Sequence, residues 1–474
     1  MTPGPSAAAR LGSPAMSIRG MMTAAELVAA IDDGAIDTVL VAFPDLQGRL
    51  VGKRVIGRYW NEEMEGGAGE VHACNYLLTV DADMNVVPGY GFASWDQGYG
   101  DMVVKPDLAT IRRIPWLDKT ALVLCDLFDE ETGAPIAVSP RRILQHQVER
   151  AAAAGYSCKF ASELEFYLFR ESHEEASARG FAGLTPHSDV IEDYHILQTT
   201  RDEYLIRDIR NGIDGAGVPV EFSKGEAGRG QHEINLVYAD PVTMADRHVI
   251  YKNGAKEIAH AHGRSITFMA KYSNDESGSS CHIHSSLWDD AGRALMWDDG
   301  APDHLSPVFR GWLGGQLACA HEFAWMHAPT VNSYKRYQPE SWAPTAIAWS
   351  MDNRTCGYRI VGHGSSFRLE SRIPGADANP YLAFAATIAA GLHGIATGID
   401  PGPRFDGNGY AAPELPRVPT HLGEAVAALE GSTVAVEAFG ADVHAHLCNT
   451  ARQELASFQR VVTDWERRRN FDQW

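Results

Sequence analysis

The 474-residue sequence lacks most of the features that would tie it to nucleic acid, a bilayer or an oxidising compartment. Basic residues are scarce: 41 lysines and arginines against 61 aspartates and glutamates leave a formal charge of −20. Such a chain repels nucleic acid and anionic lipid, so neither is expected as a partner; it suits a protein that handles metal cations or amines. No run approaches the roughly 18 apolar residues of a membrane-spanning helix. Seven cysteines (74, 125, 158, 281, 319, 356 and 448) are odd in number and never spaced CxxC. That excludes a disulfide framework and a zinc knuckle, and points to a reducing cytoplasm. There is no GxxxxGK(S/T) and no GxGxxG, so a nucleotide would not be held by a P-loop or a Rossmann turn. Residues 1–20 are small, Pro-rich and basic, without the apolar core of a secretory signal. They read as a disordered lead-in, or as sequence ahead of a later start at Met16, Met21 or Met22.

What is present is an ordinary globular balance, 45% hydrophobic and 22% charged. A short helix over 24–31 leads into a β-rich stretch, 38–55, turning at DLQG, and a strand follows at 121–128. Ser139-Pro140 opens a helix running to Gly155. Strands at 159–169, 230–238, 265–272, 280–288 and 367–374 then alternate with helices near 190–216, over 241–262 and, deeply apolar, over 379–398. The pattern is α+β: a small N-terminal β-rich domain and a large second domain, joined near 125–140.

Four strands carry chemistry at strand parity. In ASELEFYLF, Glu163 and Glu165 share a face; in GQHEINL, Gln231, Glu233 and Asn235 do, with Glu226 seven residues before Glu233 in a Gly-rich approach. His282 and His284 share a face of SCHIHSS, as do Arg368, Glu370 and Arg372 in FRLESRI. A lone strand glutamate is usually solvated. Two on one half-buried face repel unless a cation lies between them, and five carboxylates with one imidazole suit Mg²⁺ or Mn²⁺ rather than a tetrahedral zinc site. Arg336, Arg354, Arg359, Arg368 and Arg372 crowd into 37 positions of an acidic chain, which suggests binding of phosphate and carboxylate, although any one of them could equally pair with a surface acid.

ASELEFYLF, GEAGRGQHE, GSSCHIH, NSYKRYQP, NRTCGYR and RLESRIPGADANPYLAFAA occur in the order found in the glutamine synthetase family, and the resemblance covers residues from about 24 to 460. It implies an N-terminal β-grasp domain (21–125) and a C-terminal catalytic domain (126–474) built on an open antiparallel barrel flanked by helices. It also implies a dodecamer of two stacked hexamers, with active sites between neighbouring subunits. By the same resemblance, Glu165, Glu226 and Glu233 bind a first metal and Glu163, His282 and Glu370 a second, with two to three Mg²⁺ or Mn²⁺ per site. Arg354 and Arg359 match residues that neutralise the γ-phosphate of ATP, Arg354 acting in catalysis. Arg368, His284, Ser286 and Tyr238 match nucleotide-side positions. Glu165, Gly278, Arg336 and Arg372 match glutamate-binding positions, and Asp45 the aspartate that a neighbouring subunit contributes to take a proton from the incoming amine.

The sequence departs from the family at the flap. NSYKRYQPESWAP puts Trp342 where the family carries the glutamate that encloses ammonium, with Glu340 two residues earlier. Ser277 replaces a glutamate-binding asparagine, and ACNYLLTVDADMN (73–85) replaces a DGSS stretch. An indole offers a cation–π face worth roughly 0.5–2 kcal/mol to an organic ammonium; the alternative is that Trp342 only packs the flap. The pattern resembles γ-glutamyl-amide synthetases. The expected reaction is ATP-dependent ligation of L-glutamate to a primary amine through γ-glutamyl phosphate. Ethanolamine or another small monoamine is preferred over a polyamine, whose distal ammonium Asp81 and Asp83 could receive, and over ammonium itself. A hydrolase built on His282-x-His284, or a catalytically silent ring-forming homologue, fits the motifs less well. Tyr410 lies near a position adenylylated in some family members, and reads as an exposed loop tyrosine.

Overall fold

The computed structural model describes residues 18–65 and 71–474; most of the expected lead-in lies outside them. Strands β1 (Thr38–Pro44), β2 (Leu50–Ile56), β3 (Val71–Cys74), β4 (Asp101–Pro106), β5 (Arg112–Arg113) and β6 (Thr120–Asp129) form a first sheet in the order β2-β1-β6-β4-β3, with β5 on β6. β1 and β6 pair in parallel and are buried almost throughout, as a doubly covered strand requires. β6 continues through Asp129, so this sheet ends four residues beyond 125.

The second sheet is built from β7 (Ser157–Phe169), β8 (Val220–Gly225), β9 (Gln231–Leu236), β10 (Ser265–Thr267), β11 (Cys281–Trp288), β12 (Trp349–Met351), β13 (Tyr358–Val361) and β14 (Arg368–Ser371). Its order is β12-β13-β14-β11-β7-β9-β8, with β10 on β7. It is antiparallel except where β12 meets β13. Helices cover it, chief among them Pro241–Ala261, Pro307–Cys319 and Pro380–Thr397. The last is long and apolar enough to cross a bilayer, yet is mostly buried as the central core helix. It meets Pro307–Cys319 backbone to backbone: a Cβ on Gly315 would lie 1.9 Å from the Ala390 carbonyl oxygen, and one on Gly394 2.1 Å from that of Gly311.

Several expected elements are shorter. The helix near 190–216 is a single turn, Ile196–Thr199, and then Glu203–Gly215. The preceding residues are instead bridged to the approach to β9, Ile191 to Arg229 and Asp193 to Gly225. The strand at 265–272 stops at Thr267, after which the chain turns so that the Lys271 N–H meets Asn332 Oδ1 at 2.9 Å. Pro140 opens its helix as expected, but Ser139 makes no side-chain cap.

Candidate active site

Strand register assembles the centre. β7 runs between β9 and β11, placing Glu163 opposite both His282 and Asn235, and Glu165 opposite Glu233. One strand further, His284 faces Glu370, which in turn faces Arg359 on β13. Directly opposed residues of paired strands point to the same face, so the four parities converge while Leu164 and Phe166 enter the core.

Ligand atoms of Glu165, Glu226 and Glu233 lie within 4.8 Å of one another; so do those of Glu163, Glu233 and His282, and those of Glu163, His284 and Glu370. His282 Nδ1 is 3.2 Å from Glu163 Oε2 and 3.7 Å from Glu370 Oε1. Burial, with Glu226 alongside, pushes the Glu165 carboxyl up to about 8. Burial and the charge of Glu163 raise Glu233 well above the carboxylate range. Glu163 and Glu370 go the other way: burial would raise them, but the neighbouring imidazoles hold Glu163 far below its usual value, and Arg372 with His282 brings Glu370 to about 2. His282 is itself depressed to about 4 by burial and then Arg372, and its Nε2 is buried without a hydrogen-bond partner. A cluster whose acids resist ionisation together, beside an unpartnered imidazole nitrogen, fits divalent cations.

Two adjoining cavities meet at Glu163 and Asn235. The larger, about 500 Å³, holds the acids with Gly278, Arg354, Arg359, Arg372 and Trp342 on its wall. The other, about 320 Å³, is lined by Tyr238, His284, Ser286 and Arg368, together with Ser366 and Trp288. A hydrogen-bonded relay joins them. Arg368 Nε donates to His284 Nδ1 (3.1 Å), which leaves the proton of a neutral His284 on Nε2, 2.8 Å from Glu163 Oε1. Glu370, fully buried, is the shared counter-ion of Arg359 (2.7 Å) and Arg372 (2.5 Å).

The remaining residues singled out from sequence are less uniform. Arg336 is buried behind the wall, donating to Ser280 Oγ (2.7 Å) and to the carbonyls of Ile373 and Arg372. Gly278 is what makes room for it, since a Cβ there would lie 2.6 Å from Arg336 Cγ. Ser277 lines the larger cavity. Trp342 stands 58% exposed on its rim, and its carbonyl accepts from Arg372 Nη2 at 3.4 Å. Glu340 is exposed and does not line the cavity. Glu340 and Trp342 adopt positive φ, 54° and 61° respectively, a conformation costly for side chains with a Cβ. Tyr410 is half-buried rather than exposed, with its hydroxyl unpartnered and its pKa raised by burial.

Asp45 lies outside both cavities of its own chain. It is fully buried in the β1–β2 turn, accepting from Arg49 Nε (2.7 Å) and the Gln47 N–H (3.0 Å). Burial raises its pKa against the opposing pull of Arg49. Arg49 also donates to the Ala82 carbonyl, tying this turn to the loop of Asp81 and Asp83. Asp81 Oδ1 accepts from the Asp83 and Asn85 N–H groups, so these acids form a capped loop that does not line the cavity of the acid cluster.

Some lining residues escaped the sequence reading. Lys224 lies across from Glu233 on β8, forms an ion pair with Glu226 and sits 4.5 Å over the Tyr194 ring. Its two-residue spacing from Glu226 was the available signal. Gln231, already placed on the face of Glu233, donates from Nε2 to Glu165 Oε2 (3.1 Å), and with the Ser280 N–H on the same oxygen (2.8 Å) it orients that carboxylate.

Known proteins resemble this chain in sequence and in fold. Residues 137–470 match the model of the glutamine synthetase catalytic domain. The γ-glutamylethanolamide synthetase GlnA4 of Streptomyces coelicolor is 50% identical over 448 residues, 94% of this chain and 95% of that protein. The glutamate–isopropylamine ligase of a Pseudomonas species is 37% identical over 93% and 96% of the two chains. The solved structure of GmaS with ADP superposes with a TM-score of 0.81 at 31% identity, covering 94% of this chain and 99% of that one. The chain belongs to the glutamine synthetase family.

Proposed function

We propose that the protein joins the γ-carboxylate of L-glutamate to a primary organic amine at the expense of ATP, with ethanolamine or another small monoamine as the nitrogen donor. The observation that carries this reading is the exposed indole of Trp342 lining the same cavity as the acid cluster and Arg354, Arg359 and Arg372. The relatives that act on ethanolamine and isopropylamine share nearly the whole chain.

In the first step a γ-carboxylate oxygen of glutamate attacks the γ-phosphorus of ATP, ADP departs, and γ-glutamyl phosphate forms. The chain's part is to bring two anions together. Arg354 and Arg359 face the transferring phosphoryl group, and Arg372, backed by Arg336, faces glutamate. Arg368, His284, Ser286 and Tyr238 would line the nucleotide. Glu163, Glu165, Glu226, Glu233, His282 and Glu370 would hold two to three Mg²⁺ or Mn²⁺, whose charge offsets phosphate repulsion. In the second step the amine nitrogen attacks the acyl carbon, phosphate departs, and the ammonium proton passes to a carboxylate. Asp45 of a neighbouring copy would take it, in a dodecamer of two stacked hexamers. Apolar side chains left exposed in the single chain, among them Ile196, Leu197, Trp465, Phe471 and Trp474, support an assembly that covers them. Buried free thiols at six of the seven cysteines suit the cytoplasm.

The test is phosphate release from ATP with Mg²⁺ and glutamate across ammonium, methylamine, ethanolamine, putrescine and spermidine. Turnover with a small monoamine and little with ammonium is expected. Turnover chiefly with putrescine or spermidine would make the donor a polyamine; turnover chiefly with ammonium would make the protein a glutamine synthetase with an altered flap. Silence throughout would overturn the assignment as a ligase.

A further inference from the structure

The opposite face of β9 holds a second group of ionisable side chains that the ligation above does not use. Alternation along the strand sends His232 away from Glu233, into the space beneath residues 187–202. There Glu192, Asp202 and His232 are buried at 0%, 2% and 1% exposure, with ligand atoms within 4.8 Å of one another. His232 Nε2 lies 3.1 Å from Asp202 Oδ2 and 3.5 Å from Glu192 Oε2. The other oxygen of Asp202 is 3.0 Å from His187 Nε2, which orients the carboxylate from outside.

Hydrogen bonding leaves this group incomplete. Both oxygens of Glu192 are buried without a donor, and the nearby Ser188 hydroxyl is committed to the Val190 carbonyl at 2.9 Å. The segment lies hard against β8: Asp193 bridges to Gly225, and a Cβ on Gly225 would lie 2.6 Å from the Glu192 carbonyl oxygen. Ionised together, two buried carboxylates would carry a charge of −2, which a divalent ion balances. The separations of 3.1 and 3.5 Å bracket the edge of about 3.3 Å expected between ligands bonded to zinc at about 2.0 Å.

We infer that Glu192, Asp202 and His232 form a structural site for a transition-metal divalent cation of the Zn²⁺ type, on the side of the sheet opposite the catalytic acids. Three protein ligands this completely enclosed suit an ion that binds tetrahedrally better than Mg²⁺, which retains several of its waters. The site pins residues 187–202 to the back of β9. Tyr194, in the middle of that segment, lines the larger cavity; the ion therefore fixes part of the active-site wall without touching substrate.

The test uses the full-length protein loaded with Zn²⁺ and dialysed against excess Mg²⁺, with zinc counted by mass spectrometry. Close to one zinc per chain is expected for the wild type and for Glu163→Gln, and close to none for Glu192→Gln and Asp202→Asn. A wild type that retains no zinc, or a Glu192→Gln protein that retains it equally, overturns the site. Should those variants not fold, anomalous scattering at the zinc edge from wild-type crystals decides. A peak between Glu192, Asp202 and His232 supports the site; peaks confined to the catalytic cavity overturn it.

Discussion

The acids of the catalytic sheet and the groups on the amine side are held in opposite ways. Glu163, Glu165, Glu233, His282 and Glu370 sit on paired strands, where register leaves each one partner across the ladder and one face to occupy. Trp342 sits on a short irregular segment with two positive-φ residues, and Asp45 and Asp81 on turns that satisfy their own carboxylates. The contrast is physical. Phosphoryl transfer tolerates little displacement of its charges, and a sheet supplies that rigidity. On the proposed reading the nitrogen donor is selected at a loop, which can change residue without disturbing any strand pair.

Breaking the rigid side should cost most. Glu370→Ala strips Arg359 and Arg372 of their shared counter-ion, and ATP turnover should fall by roughly 10²–10³-fold or more; single-turnover phosphate release measures it, and retained activity would discredit the cluster. Asp45→Asn should lower turnover by roughly 10²-fold. Mixing it with Glu370→Ala should restore on the order of a quarter of the sites if neighbouring copies share them; no recovery on mixing would confine Asp45 to its own turn.

Protonation sharpens the same comparison. The Glu165 carboxyl is raised from 4.5 to about 8, so between those values the unfolded chain ionises while the folded one keeps its proton. Metal-free stability should therefore fall as pH rises across that window. Glu370 acts oppositely, adding stability that is lost as pH drops from 4.5 through about 2. Thermal melts in chelator should show the decline towards alkaline pH, and Mg²⁺ should flatten it. Melts independent of metal would argue against cations among these acids.

On the loop, Trp342→Glu should shift the ratio of organic amine to ammonium turnover by roughly 2- to 30-fold, the equivalent of one cation–π contact. An unchanged ratio would reduce the indole to flap packing. Glu340→Gln, exposed and off the cavity wall, should alter that ratio by less than about twofold and stability by less than about 0.5 kcal/mol.

The strand-borne part of the site was legible because strand parity is a local property: Glu163 and Glu165 two apart, His282 and His284 two apart, Arg368 to Arg372 in alternation. Where long-range pairing overrode local pattern, the reading slipped. The helix expected near 190–216 begins only at Glu203, because residues 191 and 193 bridge to the chain before β9. Tyr410 looks like a surface tyrosine in GNGYAAPELP; its burial depends on contacts such as that of the Gly409 N–H with Thr355 Oγ1, 2.8 Å, across 54 residues.

The sequence by itself determined the family, the α+β class, the parity of each acid on its strand and the substitution at the flap, since all are carried by residue type and short spacing. Only the tertiary structure decided that the four strands converge, that Glu370 serves two arginines, that Asp45 is enclosed by its own turn, and that His232 meets Glu192 and Asp202 behind the sheet. Those facts depend on which segments pair across tens to hundreds of residues, and burial then sets the charge each group can carry.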